Sequence, residues 1–426
     1  MGYYYCIWLA VIWLFCMVIP VNAVLEPMSM AMGGANIVMS RGVYGGLANP
    51  ANLGFSDSGG YSIKYFHFGA MAGNNSFSLE DYNRISGNFL DEQEKVHILA
   101  SIPSSGFKAR SEADAVLLGM SYGRASLAVN IKTSESISLT EDLFNLLLFG
   151  NQKDKTYNLA NGKIGEGWTV ASAGVAYGQP IKLEFLRELS VGIGIKYLAG
   201  IQYVNITGEG NITTTDRGLA GEGAISILSA GDRFYSPRDI TINGSGMAVD
   251  LGVAARISQH WFFGASLLDI NGGILWAGSI KRNDISLNGS ALGIGDVTGL
   301  IASNGTSKIV SISGEGFRTS YPSLFNVGLA YNSRILSSEI NLQKKIYQEP
   351  SSLRDWTICQ GMELRLVPHF PLRAGISALD CHTISYSAGA GLRIGVFSID
   401  VAASSLGWPG YGIKGVGGSV SLSTEL

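Results

Sequence analysis

The residues best equipped for bond-making chemistry are five histidines and four cysteines, and their spacing gives them little to do. His67, His97, His260, His369 and His382 show none of the paired spacings that metal sites use, so no metal is expected. The chain has no Gly-x-Ser-x-Gly elbow on a strand-to-helix turn; Gly244-Ser245-Gly246 reads as loop. Glycine-rich strings here belong to strands and cradle no phosphate. No catalytic residue, cofactor or enzymatic activity follows. Cys6 and Cys16 fall in the leading segment, which leaves Cys359 and Cys381. Folding the chain about Pro368-His369 sets these two roughly opposite on one face. An oxidising compartment permits a disulfide there, and offset positions would leave two thiols.

Binding, not bond-making, is the chemistry that the remaining motifs favour. Ser138-Leu139-Thr140-Glu141 reads as a capping box opening a helix from Asp142 to Phe149 that stops at Gly150. Leu143, Phe144, Leu146, Leu147, Leu148 and Phe149 surround that helix instead of forming one stripe, so it must be buried or meet something greasy. The functional reading is a landing site for a hydrophobic ligand; the plainer one is packing against neighbouring loops or the lipid boundary. Asp91-Glu92-Gln93-Glu94 opens a second helix in the same way, running to Ile102 with Val96, Ile98 and Leu99 on a partly apolar face.

What positions these helices is set by the rest of the chain. Ile7 to Ile19 is an unbroken apolar run, Pro20 ends it, and Val21-Asn22-Ala23 supplies small residues for a signal peptidase. Residues 1–23 are therefore expected to be a cleaved secretory signal. Beyond Ala23 no stretch reaches the roughly 18 apolar residues of a spanning helix, and an exported chain without one is either soluble or a closed barrel. Charged residues are 15% of the chain against about 25% in soluble domains, and 56 residues are glycine. A net charge of −3 gives no means of neutralising phosphates and argues against a nucleic-acid partner.

Alternation of period two fills the mature chain. Leu189, Val191, Ile193, Ile195, Tyr197, Ala199, Ile201 and Tyr203 form one apolar set, and Ser190, Gly192, Gly194, Lys196, Leu198, Gly200 and Gln202 lie between them. Strands are expected near 59–68, 114–123, 124–134, 167–178, 188–202, 245–257, 260–270, 323–332, 335–345, 356–367, 371–379, 383–393, 395–404 and 415–426. Short turns at 123–124, 258–260, 332–334, 368–369 and 395 alternate with long connections at 69–113, 135–166, 203–244 and 271–322. Short turns at one end and long loops at the other mark an outer-membrane barrel. The expected fold is all-β, a transmembrane antiparallel barrel of about 14 strands over 58–426, preceded by an N-terminal plug over 24–57. Tyr122, Trp168, Tyr177, Trp261, Tyr331 and Trp356 stand near strand ends, as interfacial girdles would. The inward face then carries Lys132, Lys196, Asp250, Arg256, Glu339, Glu363, Arg365, Arg373, Arg393, Asp400 and Glu425, tolerable only if these pair or meet water.

Met32-Gly33-Gly34-Ala35 followed by Asn49-Pro50-Ala51-Asn52-Leu53 resembles the small-residue plug of FadL-type long-chain fatty acid and hydrocarbon transporters. Asn75 to Asn83, then Leu90, Lys95 and Ile98 to Gly106, are similar to an uncharacterised family of FadL-like outer-membrane proteins. The resemblance implies a fourteen-stranded barrel, Asn49, Pro50 and Ala51 as plug residues, and passive transport of hydrophobic small molecules. The implied partners are outer-membrane lipid, a hydrophobic ligand and the barrel-assembly machinery. The competing class is a non-transporting barrel, a scaffold or shuttle for secreted or surface proteins.

Overall fold

The computed structural model describes residues 25–58, 60–215, 218–231, 241–292, 308–346, 356–379 and 383–425. The expected signal at 1–23 and Cys381 lie outside them. The strands are β1 (Tyr61–Asn74), β2 (Phe107–Tyr122), β3 (Ala125–Leu139), β4 (Thr156–Ile181), β5 (Glu188–Thr215), β6 (Gly218–Ala230), β7 (Gly244–Arg256), β8 (Trp261–Trp276) and β9 (Ile280–Leu292). They continue as β10 (Lys308–Ser313), β11 (Phe317–Ser320), β12 (Ser323–Asn332), β13 (Leu336–Ile346), β14 (Trp356–Leu364), β15 (Leu372–Leu379), β16 (Thr383–Ile394), β17 (Phe397–Leu406) and β18 (Gly415–Glu425).

Fourteen of these form a closed antiparallel wall in the order β1, β2, β3, β4, β5, β7, β8, β12, β13, β14, β15, β16, β17, β18, with β18 pairing back onto β1. All fourteen coincide with strands expected from the alternation. The barrel is inside-out relative to a soluble sandwich. Along β17 Ser398 and Asp400 are buried, whereas Ile399 and Val401 are 40% and 45% exposed on the outer wall. Greasy side chains facing outward make sense only against lipid.

The remaining strands correct the expected long loops. Residues 203–215 of β5 run past the wall and pair with β6, β6 pairs with β9, and β9 with β10, giving a flap that stands on the long-loop end. On the upper half of β5 Val204, Ile206 and Ile212 share one face; Asn205, Thr207, Glu209 and Asn211 share the other. Its Gly, Asn and Thr content reads as loop because propensity favours turns there, but ladder pairing with β4 and β6 overrides it.

A second correction concerns face. The β4–β5 register shifts between Thr169 and Val170, so that Thr169 pairs with Gln202 and Val170 with Gly200, and Ile201 is the extra residue. A bulge of one residue reverses every side chain beyond it. Tyr203 therefore turns inward instead of continuing the outer set from Tyr197. Trp168 opposite it is inside and not in the expected girdle, because β4 has no extra residue there and Trp168 shares the inward face of Val170, Ser172 and Ala176. Tyr122, Tyr177, Trp261 and Trp356 do face outward.

Residues 25–58 thread the lumen. Helix α1 (Pro27–Ala31) lies against β15 to β18, helix α2 (Gly42–Ala48) against β1 to β4, and the 3-10 turn Pro50–Gly54 against β4, β5 and β7. The wall is glycine-rich where this segment touches it. A Cβ on Gly375 would strike the Met32 carbonyl, and one on Gly192 the Pro50–Ala51 peptide. Only glycine lets two backbones approach so closely.

Candidate functional site

Three layers stack along the lumen, and the lowest is the plug. Asn49 caps the Pro50–Gly54 turn by accepting from Ala51 N at 3.1 Å, while its Nδ2 donates to Val253 O on β7 at 3.1 Å. Pro50 suits the first position of that turn because its missing N–H would have no partner. Asn52 Nδ2 donates to Ile37 O at 2.8 Å and to Ser40 O at 3.2 Å, tying the turn to the preceding bend. The Asn-Pro-Ala-Asn motif is thus a clasp between two parts of the plug and the wall. Glu339 on β13, 1% exposed, accepts from the backbone N–H groups of Ile37, Val38 and Met39 at 2.7, 2.9 and 3.1 Å. Such charge-assisted bonds are worth about 1.5–3 kcal/mol each. At the short-turn end Arg256 meets Asp57 and Glu188, both at 2.7 Å, and Arg41 meets Asp57 at 3.0 Å.

Above the plug runs a belt of ion pairs. Lys345 on β13 reaches Glu112 on β2 at 3.0 Å, and Arg110 reaches Glu112 at 2.8 Å. Lys196 sits between Asp250 at 2.9 Å and Asp269 at 2.7 Å, and Asp250 also accepts from Asp269 N at 2.8 Å. On the short-turn side of the plug, beside the turns at 365–371 and 395–396, Glu363, Arg373, Asp400 and Arg393 form a separate ladder across β14 to β17, with contacts of 2.7, 2.7 and 2.9 Å. Every charge expected on the inner wall among these residues has a partner. Glu425 is exposed instead.

The third layer is a cavity of about 570 Å³ at the long-loop end. Its walls carry Trp168, Tyr203, Trp276 and Tyr321, with Phe317 packed behind. Ring centroids lie 5.3 Å apart for Trp168 and Tyr321, 5.6 Å for Tyr203 and Trp276, and 5.3 Å for Tyr203 and Phe317. Tyr203 Oη donates to Glu166 at 3.0 Å and Trp276 Nε1 to Thr319 Oγ1 at 2.8 Å, so each ring is held by its polar handle. The volume suits a small ligand.

One side of this vestibule is structurally weak. β8 pairs with β12 up to Leu268 opposite Leu324, and with β11 from Gly273 opposite Ser320, leaving 269–272 outside both ladders. Over the same stretch its register with β7 shifts twice. Asp269 and Asn271 adopt φ of 57° and 53°, left-handed values that cost a non-glycine residue about 1–2 kcal/mol each.

The expected landing helix is present as α5 (Glu141–Phe149), but its cap is Thr140, whose hydroxyl accepts from Leu143 N at 3.3 Å. Ser138 cannot serve because β3 runs through Leu139 and pairs it with Phe107. Phe144 and Leu148 pack on a loop cluster with Phe77, Ile85, Ile98, Ile102 and Phe107, and Phe144 lies 6.1 and 5.5 Å from the Phe77 and Phe107 rings. Leu147 is 54% exposed, and Leu143, Leu146 and Phe149 are half-buried. The second loop helix, α4 (Glu92–Ala100), carries the expected capping box between Asp91 and Glu94. Neither helix lines the vestibule. Cys359 is buried on β14 opposite Ser377; Cys381, its expected partner, lies outside the described residues. Sequence reasoning missed the vestibule rings, although five aromatics at one level of neighbouring strands were a legible signal.

A family model described as a family of unknown function (DUF5723) matches residues 56–403. The chain belongs to that family. No protein of curated function matches this DUF5723 member in sequence. Among solved structures, a Pseudomonas aeruginosa FadL homologue is similar with TM-score 0.50 at 12% identity, covering 96% of this chain and 99% of that one. The P. putida toluene transporter TodX gives 0.49 at 12% identity, covering 94% and 98%. The CymD monoaromatic hydrocarbon channel gives 0.49 at 14%, covering 95% and 98%. At such identities the likeness shows the fold alone: the DUF5723 chain is a closed fourteen-stranded antiparallel barrel similar in fold to the FadL homologue.

Proposed function

We propose that this barrel resides in the outer membrane and lets hydrophobic small molecules, such as long-chain fatty acids, leave its vestibule sideways through the wall. The carrying observation is the order of the three layers. An apolar ligand in the vestibule has beneath it a belt of buried ion pairs and then a clasped plug, and displacing either costs more than a ligand gains by entering. The irregular stretch of β8 at 269–272 adjoins the vestibule residue Tyr321 and is the proposed exit to lipid. Exposed Leu147 on α5 supplies a first apolar contact outside. The names of the similar structures, hydrocarbon channels and a toluene transporter, agree with a hydrophobic cargo.

Replacing Gly272 and Tyr321 by cysteine would staple the seam, since a Cβ on Gly272 would lie 3.1 Å from that of Tyr321. In liposomes loaded with an acyl-CoA synthetase trap, uptake of labelled fatty acid should fall on oxidation and return on reduction. Equal uptake in both states contradicts passage through the seam; no uptake by the unmodified protein contradicts transport.

A second reading, a barrel that scaffolds or shuttles secreted or surface proteins, draws on the flap. Val204, Ile206, Ile212, Ile225 and Ile227 share one face of a sheet that projects beyond the wall. That reading expects the intact protein to take up no hydrophobic probe.

A further inference from the structure

At the exit proposed above, β8 carries a surplus residue where it passes Asp250 of β7. Val249 pairs with Ile270 and Leu251 with Leu267, so Asp250 alone stands opposite both Leu268 and Asp269. These two are consecutive yet both buried, the mark of a bulge whose neighbours share one face. Side chains hold the bulge where a ladder would. Asp250 Oδ1 accepts from Asp269 N at 2.8 Å in place of a backbone carbonyl, and Ser323 Oγ donates to Asp269 O at 2.8 Å. Lys196 on β5 reaches past β7 to Asp269 Oδ1 at 2.7 Å and also meets Asp250 Oδ2 at 2.9 Å. Two glycines make room for this contact. A Cβ on Gly174 would lie 2.8 Å from Lys196 Cγ, and one on Gly194 3.1 Å from Asp250 Oδ2.

The ammonium is what lets the two carboxylates meet, because like charges repel strongly away from water. Lys132, the next cation, pairs with Asp114 at 3.8 Å. Without Lys196 the Asp269 backbone, at φ of 57°, would lose the contact that offsets its strain. We propose that Lys196 is the positioning residue of the exit: it latches the Asp269 bulge of β8 to β5 and β7 and keeps the wall shut there. This deepens the sideways-passage reading and rests on it. A wall fastened by one ammonium can open at that point without unzipping its neighbours.

Hydrogen exchange and proteoliposome uptake of labelled fatty acid, both on the full-length protein, test the latch. Lys196→Met should speed exchange at 269–272 by about tenfold, leave the Ile37, Val38 and Met39 amides unchanged, and raise uptake severalfold. Lys196→Arg, which keeps the charge, should stay near wild type in both. Asp269→Asn leaves Lys196 paired with Asp250, and asparagine tolerates the left-handed backbone, so it should shift both readouts the same way by less. In the oxidised Gly272→Cys, Tyr321→Cys background Lys196→Met should gain no uptake. Unchanged exchange at 269–272 in both Lys196→Met and Asp269→Asn overturns the latch and leaves the exit standing. Faster exchange without faster uptake also overturns it, since the bulge would then open without passing cargo. Uptake that the oxidised staple does not slow in the otherwise unaltered protein overturns the exit and the latch together.

Discussion

Lys345 Nζ lies 3.0 Å from Glu112 Oε1, and the two residues stand on opposite walls of the barrel. β2 is second and β13 ninth in the ring of fourteen, so this contact spans the lumen. Both side chains are 15% exposed. Removing Glu112 would strand the Lys345 charge at a cost of about 3–5 kcal/mol, whereas removing Lys345 leaves Glu112 its Arg110 partner and costs less. Lys345→Met and Glu112→Gln should each lower the melting temperature in detergent and admit ions in planar-bilayer recordings. The Lys345→Glu, Glu112→Lys exchange should recover much of both, less whatever Arg110 loses beside a new cation. Single variants as tight and as stable as the wild type would remove the strut from the account.

Glu339 is the plug's anchor on β13. Glu339→Ala leaves the Ile37, Val38 and Met39 amides without an acceptor, a loss of about 3 kcal/mol or more. Hydrogen exchange at those three amides should speed by at least a hundredfold, with much less change in the wall strands. Glu339→Gln, which keeps an acceptor oxygen, should fall between. Unchanged protection would show that the glycine-lined contacts alone retain the segment.

On α5 the two leucine and phenylalanine positions should separate stability from capture. Phe144→Ala removes a ring from the Phe77–Phe107 cluster and should loosen the loops by about 2–3 kcal/mol, read by protease sensitivity between 75 and 150. Leu147→Asp alters an exposed residue and should leave that sensitivity alone while slowing liposome uptake severalfold. Uptake unaffected by Leu147→Asp would reduce α5 to a packing element.

The helix α3 (Leu79–Ile85) is capped by Ser78 and Asp81 in a reciprocal box. Partial burial pushes the Asp81 carboxyl up, but the Ser78 N–H and hydroxyl, then Arg84 and His97, hold it below its ordinary value of 3.8. A depressed carboxyl stabilises the fold above its unfolded pKa, and that contribution disappears as pH falls through the folded value. Exchange protection of α3 should therefore hold down to about pH 4 and weaken below it. Asp81→Asn should flatten this dependence; an identical acid profile in that variant would assign it elsewhere.

The wall was legible in the sequence because lipid and lumen impose opposite tastes on alternate residues, as at Ile399 and Asp400. Its count of strands and its loop helices followed from patterns local to a few residues. The vestibule was legible only in part: Trp168 follows the inward set of Val170, Ser172 and Ala176 on β4, but a one-residue bulge at Ile201 turns Tyr203 inward, and nothing in the alternation of β5 announces it. The position of Cys359 opposite Ser377 depends on the register that the turn at 365–371 sets, which the spacing of residues along the chain does not carry. The cross-lumen pair of Glu112 and Lys345 joins residues 233 positions apart and has no signature in sequence at all.

The central claim is that cargo leaves without the plug moving, and one variant tests it. A Cβ on Gly34 would lie 3.0 Å from Cys359 Sγ and 3.8 Å from its Cβ, within disulfide geometry, although φ of +96° at Gly34 makes the substitution strained. With Cys381→Ser to prevent mispairing, Gly34→Cys should staple the plug to β14 on oxidation. Labelled fatty-acid uptake by proteoliposomes should then be the same before and after reduction. Uptake abolished by the staple and restored by reductant would show that the plug must swing aside, and would contradict the sideways route.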